Sequence, residues 1–112
     1  NTMNANNKYL TNLLSSMSKN HINRAIRYEK RKAREHGGRH LGGPSAPDYQ
    51  RGENFGEVKC RDSKVTQPEL QRLIREKGIS EVDSKAGFTK PAIDYRNSHH
   101  PEVRLIQRRR TI

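Results

Sequence analysis

An α/β domain with a small mixed sheet flanked by helices is predicted by three observations. Segments with helical spacing alternate with short extended runs, in the order helix, strand, helix, strand, helix, strand. Glycines and prolines gather between those segments, above all at 37–47. The length of 112 residues suits one domain and leaves no comfortable room for two.

The elements follow from local pattern. Residues 1–20 are rich in Asn and Ser, with Leu10, Leu13, Leu14 and Met17 at helical spacing, and read as an N-terminal arm or short helix. Residues 21–36 are predicted to be a helix, with Ile22, Ala25, Ile26 and Ala33 as its apolar stripe and Gly37 or Gly38 as its stop. Residues 37–47 contain four glycines and two prolines and are expected to be loop. Asn54 to Cys60 reads as a strand around Phe55 and Val58. Thr66-Gln67-Pro68-Glu69 has the form of a capping box, opening a helix that carries Leu70, Leu73 and Ile74 and closes at Gly78. Ile79 to Asp83 is a strand candidate. Thr89 caps a further short helix with Pro91 in its first turn, and Val103 to Ile106 forms a last strand. The domain proper thus spans 21–107, with a basic tail at 108–112.

Composition limits the partners. Lys and Arg number 23 against 12 Asp and Glu, a formal net charge of +11, while only 29% of residues are hydrophobic. Such a surface suits a phosphate backbone, whose counterions it releases. The core is thin, so a second copy of the chain or a nucleic-acid partner would help to hold it. The single cysteine, Cys60, forbids an internal disulfide and fits a reducing compartment. No apolar run approaches the roughly 20 residues that span a bilayer, and no signal peptide is visible. A start of Asn1-Thr2-Met3 reads as a trimmed or tagged terminus.

One constellation carries chemistry. Pro47-Asp48 closes the glycine-rich loop, and Glu57-Val58-Lys59 follows on the strand. Alternation turns Glu57 and Lys59 to one face. The loop lets Asp48 fold back beside Glu57, so that two carboxylates meet an ammonium group. Hard cations such as Mg²⁺ or Mn²⁺ take carboxylate oxygens and keep waters. Such an ion activates a bound water and offsets charge growing on a scissile phosphate. Lys59 is expected to stay protonated there and to act by position and charge. Glu29 falls on the helical stripe seven residues after Ile22, where a carboxylate needs a partner, and a metal beneath the helix would supply one. Glu35 falls off that stripe and reads as a surface residue.

Pro47-Asp48, an eight-residue gap and Glu57-Val58-Lys59 resemble the PD-(D/E)xK nuclease signature. The preceding helix with Glu29 resembles that superfamily's first core helix. Gln67-Pro68-Glu69-Leu70 and Gly87-Phe88-Thr89-Lys90-Pro91-Ala92 are similar to Mrr-type restriction endonucleases and archaeal Holliday-junction resolvases, so the resemblance covers roughly 22–107. It implies a restriction-endonuclease-like fold and a Mg²⁺- or Mn²⁺-dependent DNA endonuclease. Asp48 and Glu57 would ligate the metal, Glu29 would join directly or through water, and Lys59 would assist the attacking water. It also implies an auxiliary Gln on the next helix, for which Gln67 and Gln71 are the candidates, and a homodimer in the cytoplasm of a prokaryote or a virus-infected cell. Two departures stand out. The superfamily's apolar strand before the PD turn is replaced by the Gly-rich segment 36–46, and Val82-Asp83-Ser84-Lys85 is unusually polar for a central strand.

DNA contacts are expected from Arg24, Arg27, Arg31 and Arg34 on the first helix, from Arg61 and Lys64, and from the tail Arg108, Arg109 and Arg110. Within the nuclease class a structure-selective, resolvase-like enzyme is favoured, because so small a domain has little room for a sequence-reading module; a restriction-type nuclease is the alternative. Outside that class stand a non-catalytic basic nucleic-acid-binding protein and a ribosomal or viral assembly protein that folds on RNA. Other signals are weaker. His99-His100 lacks zinc-finger partners, the Gly pairs lack a following Gly-Lys-Ser/Thr, His36 and His40 contact phosphate or nothing, and Cys60 is expected to be a buried thiol.

Overall fold

A computed structural model describes residues 22–112, so the expected arm over 1–20 lies outside the described residues. Helix α1 (residues 22–35) ends at the glycine pair as expected. Gly37 adopts φ +71°, its N–H donates to Arg34 O, and Gly38 N–H reaches Ala33 O at 2.7 Å. These crossed bonds are a Schellman stop, which satisfies the helix's last carbonyls. Only part of the expected apolar stripe packs: Ala33 is buried, but Ile22 and Ile26 are 50% and 38% exposed. The face on the sheet is instead Ala33 with Tyr28, packed against Tyr49 and Val58. A small residue at 33 lets the helix approach that aromatic closely.

Six strands form one mixed sheet in the order β1-β2-β3-β4-β5-β6. They are β1 (Arg39–His40), β2 (Tyr49–Arg51), β3 (Asn54–Lys59), β4 (Glu81–Ser84), β5 (Arg104–Gln107) and β6 (Arg110–Thr111). The pairings β3–β4 and β4–β5 are parallel and the outer three antiparallel. Parallel neighbours need crossovers, which are α2 (Gln67–Lys77) and α3 (Lys90–His99). Two right-handed crossovers stepping the same way put both helices on one face. Their core joins Leu70 and Leu73 of α2, Ala92 of α3, and Val82 and Leu105 of the sheet. The opposite face belongs to α1.

Two segments correct the sequence reading at the edges. The glycine-rich loop contains a short strand, β1, in which Arg39 pairs Gln50 and His40 pairs Tyr49. The expected tail is a hairpin: Gln107 pairs Arg110, and Arg108 and Arg109 form the turn with φ of +50° and +65°. Left-handed residues at both turn positions match the sheet's twist, but Asn or Gly usually occupies them. Arg96 anchors this end of the chain, donating to Val103 O at 2.8 Å and to Ile112 O at 2.6 Å.

The polar central strand is complete rather than reduced. All four residues of β4 are buried, and the strand pairs on both sides. Val82 and Ser84 share a face with the α2–α3 core, and Glu81 and Asp83 face α1. Burying acids costs energy unless each finds partners. Glu81 accepts from Tyr49 Oη at 2.8 Å, from Arg51 and from Arg104 at 3.3 Å. Burial acts to raise its pKa, but the Arg51 and Tyr49 hydrogen bonds outweigh this and hold it below the usual carboxylate range. Burial, with the bond to Glu81, pushes the Tyr49 phenol up. Tyr49 lies flat over Gly56 in the neighbouring strand, where an added Cβ would meet the ring at 2.0 Å. Glycine at 56 therefore sets how closely β2 and its aromatic lie on β3.

Helix α2 starts at Thr66, but the capping box is not made. The Thr66 hydroxyl accepts no cap bond, and Glu69 binds Arg61 through both guanidinium nitrogens instead. A bidentate charged pair outcompetes one backbone N–H. Thr89 does cap α3, accepting from Ala92 N at 3.3 Å.

Candidate metal and nucleic-acid site

The β2–β3 ladder brings Asp48 and Glu57 together. Asp48 lies just before β2, and its backbone N–H donates to Gly56 O at 2.9 Å. Its Oδ2 accepts from Val58 N at 2.8 Å, which pins the carboxylate against β3. Tyr49 faces α1, so alternation sends Asp48 to the other face, which Glu57 and Lys59 share. Lys59 Nζ lies 3.1 Å from Glu57 Oε2, and Lys77 at the end of α2 lies 3.5 Å from the same oxygen. Glu57 is only 3% exposed, and its Oε1 has no hydrogen-bond partner among the described residues.

The electrostatics of Asp48 are unbalanced. Burial is the largest cause that lifts its carboxyl to about 6. The Val58 N–H and Lys59 oppose the rise, while the charges of Glu57 and Glu29 add to it. Glu29 is therefore close enough to be felt, though its bonded neighbour is His40, with Nε2 at 3.0 Å from Glu29 Oε2. It sits half-buried at the edge of α1 rather than beneath an apolar stripe. The structure thus gathers Asp48, Glu57 and Lys59 and leaves Glu29 near them, within hydrogen-bond distance of His40. A hard cation fits this donor set: it would give the orphaned Glu57 Oε1 a partner and offset the charge that raises Asp48.

Several expected roles move. Gln67 donates to Gln71 at 3.0 Å, and the α2 side chains that reach Glu57 and Lys59 are Lys77 and Glu69, with Glu69 Oε2 at 3.9 Å from Lys59. Arg61 is held by Glu69 rather than free for phosphate, while Lys64 is exposed. Cys60 is exposed, not buried. Arg24, Arg27, Arg31 and Arg34 are exposed and, with Lys30 and Tyr28, line a shallow groove on the outer side of α1 of about 450 Å³. Arg109 donates to Glu35 at 2.6 Å, while Arg108 and Arg110 are exposed.

Sequence reasoning missed a second polar cluster under α1. His36 Nε2 lies 2.7 Å from Asp83 Oδ2, and its ring stacks on Tyr49. Lys32 lies 2.9 Å from Glu35 and 3.8 Å from Asp83. Ligand atoms of Glu35, His36 and Asp83 lie within 4.8 Å of one another, closer than those of the expected trio, and Asp83 Oδ1 also lacks a partner. Here, however, Lys32 and Arg109 already balance the two acids. At the Asp48–Glu57 pair the cations Lys59 and Lys77 face Glu57, while the Asp48 carboxyl stays raised to about 6. The only hint of the second cluster in the sequence was the acidic pattern of β4.

No protein-family model, no curated protein and no solved structure matches the chain. Among the described residues no helix is long and apolar enough to cross a membrane.

Proposed function

We propose that the protein is a metal-dependent DNA endonuclease of the PD-(D/E)xK type, with a restriction-endonuclease-like fold. One observation carries the reading: a buried, orphaned Glu57 oxygen beside an Asp48 whose carboxyl is raised to about 6. Asp48 and Glu57 would hold one Mg²⁺ or Mn²⁺, and Glu29 would join through water. The ion would supply an activated water and charge stabilisation at the scissile phosphate. Lys59, 3.1 Å from Glu57, would orient that water and face the developing negative charge. Lys77 steadies Glu57 from the other side. The exposed arginines of α1 hold the DNA backbone as positioning contacts. A homodimer would place two such sites on two strands, as a junction-cutting enzyme requires.

A second reading has its own observation. Glu57 already faces two ammonium groups, as it would in a purely structural ion cluster of a non-catalytic nucleic-acid-binding protein. Cleavage separates the two. A labelled four-way junction, a linear duplex and single-stranded DNA are incubated with the protein in Mg²⁺ or EDTA. The nuclease reading expects Mg²⁺-dependent cutting, strongest on the junction, and loss of cutting in Asp48→Asn and Glu57→Gln. Binding without cutting in Mg²⁺ and Mn²⁺ alike would establish the second reading.

A further inference from the structure

The parallel strands β3, β4 and β5 all point their carboxyl ends at one edge of the sheet. In open α/β sheets, ligands bind in the crevice outside that edge. A cleft of about 360 Å³ lies there, lined by Asp62 after β3, Lys85 after β4, Gln107 and Arg108 at the end of β5, and Tyr28 and Lys32 of α1. Its volume lies within the range of small-molecule sites and admits a mononucleotide. Three cations converge on it. Lys85 is half exposed, and its one ion-pair partner among the described residues is Asp62, itself 96% exposed, at 3.3 Å. Lys32 is nearly buried and lines the cleft from α1, with its ammonium held by Glu35 at 2.9 Å. Arg108 enters from the β5–β6 turn.

The backbone of that turn is an independent pointer. Arg108 has φ +50° in a turn that glycine or asparagine would form without strain. Strained non-glycine residues persist chiefly where the side chain has a task. Of the two left-handed arginines in the turn, Arg109 pairs with Glu35 and Arg108 lines the cleft. The half-buried ring of Tyr28 borders the same space and offers it an aromatic face.

We infer that this cleft is a nucleotide subsite, in which Lys85 and Arg108 grip a phosphate and Tyr28 and Gln107 face the attached nucleoside. The ligand's identity as a nucleotide of the DNA substrate rests on the nuclease reading; the anion site does not. A phosphate gripped there would hold one nucleotide of the strand at the carboxyl edge of the sheet. This gives a structure-selective enzyme a place for a nucleotide displaced from pairing at a branch.

The test uses the full chain in EDTA, so that no cleavage occurs. Inorganic phosphate, dTMP and a short single-stranded DNA are each titrated while backbone and Tyr ring signals are followed by NMR. The expected result is saturable shifts at Tyr28, Lys85 and Arg108 with both phosphate and dTMP, with dTMP binding more tightly. Lys85→Ala and Arg108→Asn should each weaken dTMP about tenfold, because each removes a charged hydrogen bond. Lys90→Ala, an exposed lysine on α3 outside the cleft, should not. Arg108→Asn also guards against misfolding, since asparagine suits the turn and should leave the melting temperature unchanged or raised. Phosphate binding without any gain for dTMP would reduce the cleft to an anion site and overturn the nucleotide assignment. Shifts confined to the outer arginines of α1, or unchanged affinity in Arg108→Asn, would overturn the whole inference. A cleft that binds dTMP in a protein that cuts no DNA would leave the subsite standing and remove the nuclease reading. Cleavage without cleft binding would do the reverse.

Discussion

Replacing Asp48 by asparagine should make the metal-free protein more stable. The carboxyl is lifted from 3.8 to about 6, so its ionised form is disfavoured in the folded state. That difference corresponds to at most about 3 kcal/mol. The sign follows from linkage: an acid with a raised folded pKa contributes stability below pH 3.8, and this is lost as pH rises through about 6. Asparagine keeps an acceptor for Val58 N and carries no charge. About half of the gain should be present at pH 5 and all of it by pH 8. For a domain of this size the full effect is a rise in melting temperature on the order of 10 °C. The assay is thermal unfolding of both proteins in EDTA at pH 5 and pH 8. Mg²⁺ at a hundredfold excess over its dissociation constant should then stabilise the native protein by about 2.7 kcal/mol and leave Asp48→Asn unmoved. An asparagine variant less stable than the native protein at pH 8, or a gap that does not change with pH, would refute this reasoning.

Two further perturbations test other parts of the structure. Gly56→Ala places a methyl group 2.0 Å from the Tyr49 ring, so the tyrosine must leave its place over β3 and lose its bond to Glu81. Urea unfolding should show a loss of about 3 kcal/mol, whereas Gly42→Ala, with nothing within 4 Å of its Cβ, should change little. Arg27→Glu with Arg31→Glu reverses two exposed charges on α1. DNA affinity should fall uniformly across sequences, and the dependence of log affinity on log salt should flatten by about 2.

The parts of the fold that sequence revealed are those with a local cause. The α1 stop is written in Gly37 and Gly38, the α3 cap in Thr89, and the face shared by Glu57 and Lys59 in strand alternation. What stayed hidden depends on partners distant in sequence. Two-residue strands such as β1 have no periodicity to detect, so His40 read as a loop residue although β1 carries it to Glu29. The acids of β4 looked foreign to a central strand because Tyr49, Arg51, Arg104, His36 and Lys32 reach them only in the folded chain. Thr66 and Glu69 had the spacing of a capping box, but Arg61 claimed the glutamate. Ile22 and Ile26 had helical spacing, yet Tyr28 and Ala33 took the sheet face.

Mn²⁺ titration followed by electron paramagnetic resonance asks most directly whether Asp48 and Glu57 form a cation site. The expected result is one Mn²⁺ bound per chain, competed by Mg²⁺, abolished in Asp48→Asn and in Glu57→Gln, and kept in His36→Ala, which alters only the cluster under α1. No bound Mn²⁺, or binding that survives both carboxylate substitutions and disappears in His36→Ala, would contradict the assignment.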